Sequence, residues 1–164
     1  MHSVMKRRTQ SGYGLLEAMI SVLVVSIGFL GLAGVQVKGL ASTNSSLLRS
    51  QAVYLSYQMA DRLRANLPAA QAGAYNSLSG SPSDPGCVTS GCTPALMAQN
   101  DYYEWSGEIV TLLPDGSGVV CIDSTPDDGD PGAPQCDNVG NVFSIKIWWT
   151  EKTDVSRFVT TFRP

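Results

Sequence analysis

Hydrophobic positions divide the chain into stretches with different periods. From Tyr13 to Val37 nearly every residue is apolar or small, and the only charge between Arg8 and Lys38 is Glu17. The uncharged run from Ala18 to Val37 is 20 residues long. As a helix rising about 1.5 Å per residue, it matches about 30 Å of hydrocarbon. From Leu40 to Leu67 the pattern becomes one-sided. Leu48, Ala52, Leu55, Met59, Leu63 and Leu67 recur three or four apart, with Arg49, Gln58, Asp61 and Arg64 between them. That spacing predicts a helix with one buried stripe, stopped by Pro68. A single helix over about 14–67 would be about 80 Å long, too long for a compact core. Its first half therefore needs a membrane or other subunits around it.

The remainder predicts an α+β arrangement, a long helix laid across a small antiparallel sheet. Residues 68–93, rich in Ala, Gly, Ser and Pro, read as an irregular loop. Thr93-Pro94 is a helix start, with Asp101 and Glu104 a candidate second cap. Tyr102, Trp105, Ile109, Leu112 and Leu113 form the buried stripe of a short helix near 95–113. Pro114-Asp115-Gly116 then turns the chain into a strand, Gly118 to Asp123. In a second strand, Val142 to Thr150, alternation puts Phe143, Ile145, Ile147 and Trp149 toward the core. Ser144, Lys146 and Trp148 take the other face, where Trp148 is either an exposed subunit contact or covered by a loop. A hairpin through Lys152-Thr153-Asp154 leads to a last strand, Arg157 to Arg163, alternating Phe158, Thr160 and Phe162 against Arg157, Val159 and Thr161.

Charge changes this picture more than composition does. The chain of 164 residues carries 11 basic and 14 acidic residues, a formal charge of −3. No basic residue lies between 65 and 145, a gap that holds ten acids. An acidic chain without basic clusters argues against nucleic-acid binding, because phosphate contacts supply most of that affinity. The single histidine, His2, argues against histidine-based catalysis, and no serine sits in a G-x-S-x-G motif. Asp61, Arg62 and Arg64 read as a solvated helix face. The acidic stretch Asp123 to Asp130 reads as a solvated loop rather than a calcium site, lacking the alternating acids and final glutamate of an EF-hand.

The basic residues Lys6, Arg7 and Arg8 would hold the N-terminal end of the apolar segment in the cytoplasm and place the rest outside. A secretory signal peptide is the rival, but its apolar core is usually about 7–15 residues and ends at a small-residue cleavage site. In an oxidising compartment, Cys87, Cys92, Cys121 and Cys136 read as disulfides. The local pairings Cys87–Cys92 and Cys121–Cys136 are preferred over crossed ones. A zinc site lacks a C-x-x-C pair and a nearby histidine. Glu17 is unusual at the edge of a membrane span, either snorkelling to the headgroups or functional.

Gly12-Tyr13-Gly14-Leu15-Leu16-Glu17 resembles the type IV prepilin signature. The resemblance implies cleavage by a prepilin peptidase between Gly12 and Tyr13, and methylation of the new amino group of Tyr13. Phenylalanine or methionine is commoner at the Tyr13 position. It also implies that Glu17 guides assembly by pairing with the amino group of a neighbouring subunit, a role that suits the positive end of a helix. The usual proline near Gly34 is absent. The segments Ser26 to Gly34 and Leu55 to Asn66 resemble minor pilins of the PilV family, over roughly the first 66 residues.

The implied organisation is a leader at 1–12, a membrane or filament-core helix at 13–40, its amphipathic continuation at 41–67, and a periplasmic domain at 68–164. The fold expected is that of a type IV pilin. The function expected is that of a non-enzymatic minor pilin without a cofactor. It would be anchored in the bacterial inner membrane and then carried into a surface pilus, in a tip complex that primes assembly for twitching motility and adhesion. The expected partners are prepilin peptidase, other minor pilins, the major pilin and a large tip adhesin. A minor pseudopilin of a type II secretion system is the alternative, and a membrane-anchored periplasmic enzyme a more distant one.

Overall fold

The computed structural model describes residues 13–164, excluding the side chains of Tyr13 and Ser90. The predicted long helix is α1, Tyr13–Ala65. It ends two residues early. Pro68 does not stop it but lies in the first turn of a separate helix, α2, Leu67–Gln71, where a missing N–H costs nothing. The stretch 68–93 is also less irregular than its composition predicts. It contains most of α2, the short helix α3, Cys87–Ser90, and a bridge from Leu78 to Val120.

The second long helix, α4, spans Pro94–Leu112, with the Thr93 side chain accepting from the Leu96 N–H at its start. Asp101 and Glu104 are not a second cap, since both lie inside α4. Three antiparallel strands follow: β1, Ser117–Ile122; β2, Phe143–Glu151; and β3, Asp154–Phe162. They lie in the order β1-β2-β3, with Val120 opposite Ile145 and Ile145 opposite Thr160. Glu151 pairs with Asp154, leaving Lys152 and Thr153 as a two-residue turn. Lys152 adopts a φ of 60°, as the tight turns that suit twisted hairpins require.

The chain divides into two units, Met1–Asn44 and Ser45–Pro164. In the second, Leu48, Ala52, Leu55, Met59 and Leu63 of α1 share one core with Trp105 and Ile109 of α4 and Phe143, Ile145, Ile147 and Trp149 of β2. These are the stripes and the strand face that the periodicities predict, except at two stripe ends: Leu67, which falls in α2, and Leu112, in the last turn of α4, are both exposed. Gly118 lets β1 approach α4, since a Cβ there would fall 2.5 Å from the Trp105 ring and 2.6 Å from Ile109.

In the first unit, the described part of α1 is exposed throughout. Leu16, Ile20, Leu23, Val24, Ile27 and Leu30 are each more than half exposed. The hydroxyls of Ser21 and Ser26 donate to the carbonyls of Glu17 and Val22, at 2.8 and 2.7 Å. These polar groups are thus satisfied inside the helix, the condition for entering an apolar medium.

Candidate functional site

Of the residues in the prepilin-like motif, Gly12 lies outside the described residues, as does the leader 1–12. Tyr13 begins α1, and Glu17 stands exposed four residues later on the same helix. The surface beyond it is apolar on every side. Among the described residues, α1 is the one helix long and apolar enough to cross a membrane. What this segment can do is bury itself in lipid or among other helices. At about 25 cal/mol per Å² of apolar surface, such burial is strongly favourable.

The second unit contains two charged clusters. The first joins α1 to α4. Arg62 Nη1 donates to Glu104 at 2.7 Å and to Asp101 at 3.2 Å, and its Nη2 lies 3.7 Å from Glu108. Gln58 donates to both oxygens of Glu108, at 3.1 and 3.0 Å. The buried Tyr75 hydroxyl donates to Asp101, and Asn66 donates to Tyr75 at 3.2 Å. Asn66 also donates to the Pro94 carbonyl at 2.7 Å, tying the end of α1 to the start of α4. Arg62 is therefore not on a solvated face, as periodicity alone implied; its neighbours Asp61 and Arg64 are, paired at 2.6 Å in the open.

Electrostatics follow from this geometry. The hydrogen bond from Arg62 holds the Glu104 carboxyl below its ordinary value. Burial opposes the charge on Arg62, but Glu104 and Asp101 outweigh it and raise the guanidinium. Burial, with Asp101 beside it, pushes the Tyr75 hydroxyl up, and burial alone pushes Tyr102 up to about 12. Both phenols stay neutral under ordinary conditions.

The second cluster covers the outer face of the sheet. All four cysteines are paired, Cys87 to Cys92 and Cys121 to Cys136. The second bond closes the acidic loop, and Val119, Cys121 and Trp148 are buried together beside Cys136. Trp148 is 2% exposed, so the loop covers it and it is not a free contact. Lys146 is fully buried. Its ammonium meets Asp123 at 2.6 Å, the Asp128 carboxylate at 2.8 Å and carbonyl at 3.1 Å, and the Pro134 carbonyl at 2.8 Å.

Arg157 holds the same loop from β3. It donates to the carbonyls of Gly129 and Asp127, at 2.7 and 2.8 Å, and to the Asp127 carboxylate at 3.0 Å. The expected solvated acidic loop is so only in part: Asp127 and Asp130 are exposed, but Asp123 is buried and the loop is held against the sheet by two cations. Four oxygens satisfy the ammonium that burial would otherwise penalise by several kcal/mol, about the cost of an unpaired buried ion. The bond from Lys146 lowers the Asp128 carboxyl. Among the described residues, no group of three or more His, Cys, Asp or Glu side chains is placed to hold a metal ion.

Sequence reasoning missed Arg62, Lys146 and Arg157 as organising cations. A signal was present. Ten acids in a stretch without a base must find counter-charges outside it, and these three residues are drawn from the two flanking basic groups.

A long helix packed by its C-terminal half against a small antiparallel sheet, with one further helix in the same core, is the type IV pilin fold. Residues 34–103 match the family described as Tt1218-like, type IV pilin Tt1218. That match takes in the second half of α1 and the start of α4, and stops before the sheet. No curated protein and no solved structure matches the chain.

Proposed function

We propose that the chain is a minor pilin of the type IV pilus, made as an inner-membrane precursor. In this reading prepilin peptidase cuts between Gly12 and Tyr13 and methylates Tyr13, and Glu17 neutralises the amino terminus of an adjacent subunit during assembly. The subunit joins other minor pilins in a tip complex of the PilV kind, which primes the major pilin for twitching motility and carries an adhesin.

The observation that carries the reading is the contrast along α1. Its C-terminal half is packed into the outer domain's core, whereas its N-terminal half offers apolar side chains on all sides with its serine hydroxyls satisfied internally. Such a helix suits a subunit that moves from lipid into a bundle of like helices. The similarity to a type IV pilin family over residues 34–103 supports it independently.

Mass spectrometry of the protein from cells with active prepilin peptidase tests the proposal. The expected first residue is N-methyl-Tyr13. A chain retaining residues 1–12 would overturn the assignment.

A further inference from the structure

The two edges of the sheet are finished differently. The outer edge of β1 is covered from within the chain: Leu78 and Val120 exchange two main-chain hydrogen bonds at 3.0 Å, and Asn76 Oδ1 accepts from the Ile122 N–H at 2.8 Å. β3 has no such cover. It pairs with β2 on one side, and among the described residues no main-chain segment bridges the other. Every second residue of an antiparallel strand directs both its N–H and its C=O to one side, so about four residues of β3 present unpaired groups outward.

Sheets ordinarily blunt a free edge with charged side chains, proline, a bulge or a covering segment. From Asp154 to Phe162 there is no proline, the two charges are Asp154 beside the turn and Arg157, which Asp127 and Gly129 hold, and the pairing with β2 runs unbroken from Phe143–Phe162 to Glu151–Asp154. Val, Thr and Phe dominate the strand, the residues that favour a pleated surface. An open groove of about 460 Å³ runs along residues 157–161 and is also lined by Arg49, Pro126 and Asp127.

The charges of this groove select the occupant. Arg157 is already engaged by Asp127 and Gly129. The Arg49 side chain is exposed and makes no ion pair or hydrogen bond among the described residues. Glu151 is within electrostatic range of it, but the two Glu151 oxygens accept from Ser45 and Trp149. We propose that the free edge of β3 is a docking site for an extended segment of another polypeptide, which adds as a fourth strand and carries a carboxylate opposite Arg49. Main-chain pairing supplies the attachment and Arg49 the preference for an acidic strand. The inference goes beyond the pilus assignment and does not require it.

The test uses the full chain, isotope-labelled in detergent micelles, and a capped eight-residue peptide alternating Thr and Val around a central Glu. Binding is expected to slow amide exchange at alternate residues of 154–162. Methylating the peptide nitrogens that face β3 should weaken binding at least tenfold. Arg49→Gln should weaken the Glu peptide about 2- to 5-fold, the size of an exposed ion pair, and leave a Gln-substituted peptide unaffected. Unchanged core amide shifts in that variant establish that it is folded. Three results would overturn the proposal: no binding at millimolar peptide, binding indifferent to N-methylation, or an Arg49→Gln effect equal for both peptides. Dimerisation through β3 without peptide would overturn it in favour of a second copy of this chain. Because the readout is binding by the purified chain, its failure leaves the pilus assignment standing.

Discussion

Lys146 sits on the strand face that alternation assigns to the outside, yet its side chain is fully buried. An ammonium is strongly hydrated, and it tolerates that position only because Asp123, Asp128 and Pro134 replace its water. Removing one partner strands the charge. Asp123→Ala is expected to lower unfolding stability by about 3–5 kcal/mol, read from urea titrations. Replacing both members with apolar residues of similar size, Lys146→Met with Asp123→Leu, should recover most of that loss. The pH dependence has a fixed sign. Glu104 and Asp128 are held below their ordinary values of 4.5 and 3.8. Their contribution is therefore complete above those values and is lost as pH falls through the lower folded-state ones. Thermal melts should weaken with acid below about pH 4.5, and Arg62→Gln should flatten the part of that slope owed to Glu104.

At the scale of elements, the long periodic segments could be read directly. The stripe from Leu48 to Leu63 is buried on α1, and the alternation from Phe143 to Trp149 is buried on β2. The start of α4 was also readable, and Thr93→Ala should cost about 1 kcal/mol, measurable by chemical denaturation. Gly118→Val should be more damaging than that cap loss, because its side chain would collide with Trp105 and Ile109. What escaped the sequence were the short helices and the charge partners. Helices of the length of α2 and α3 cannot sustain themselves and form only where the rest of the domain holds them. Trp148 and Lys146 obey the alternation, but the loop that covers them, which joins β1 to β2, has no period of its own, so its fold over the sheet is not written in local periodicity. Arg62 is a longer-range case, its hydrogen-bond partners Asp101 and Glu104 lying 39 and 42 residues away.

At the scale of the whole molecule, the two units follow different physical rules. Every member of the main core lies between residues 48 and 162, so the second unit has a core of its own, while the described part of the first has none. Cell fractionation should place the full chain in membranes, released by detergent but not by salt. A chain of residues 45–164 is expected to be soluble and to keep its circular dichroism. Soluble behaviour of the full chain without detergent would contradict this division.

The placement of counter-charges also sets an order in time. The loop that Cys121 and Cys136 close lies ahead of Lys146 and Arg157 in the chain. A chain emerging amino end first therefore exposes its acids before either clasp exists. Until residue 157 has followed, the segment lacks the two cations that hold its acids in the folded domain. The last strand thus acts as a timing element: the loop can close over the sheet only after β3 has been made.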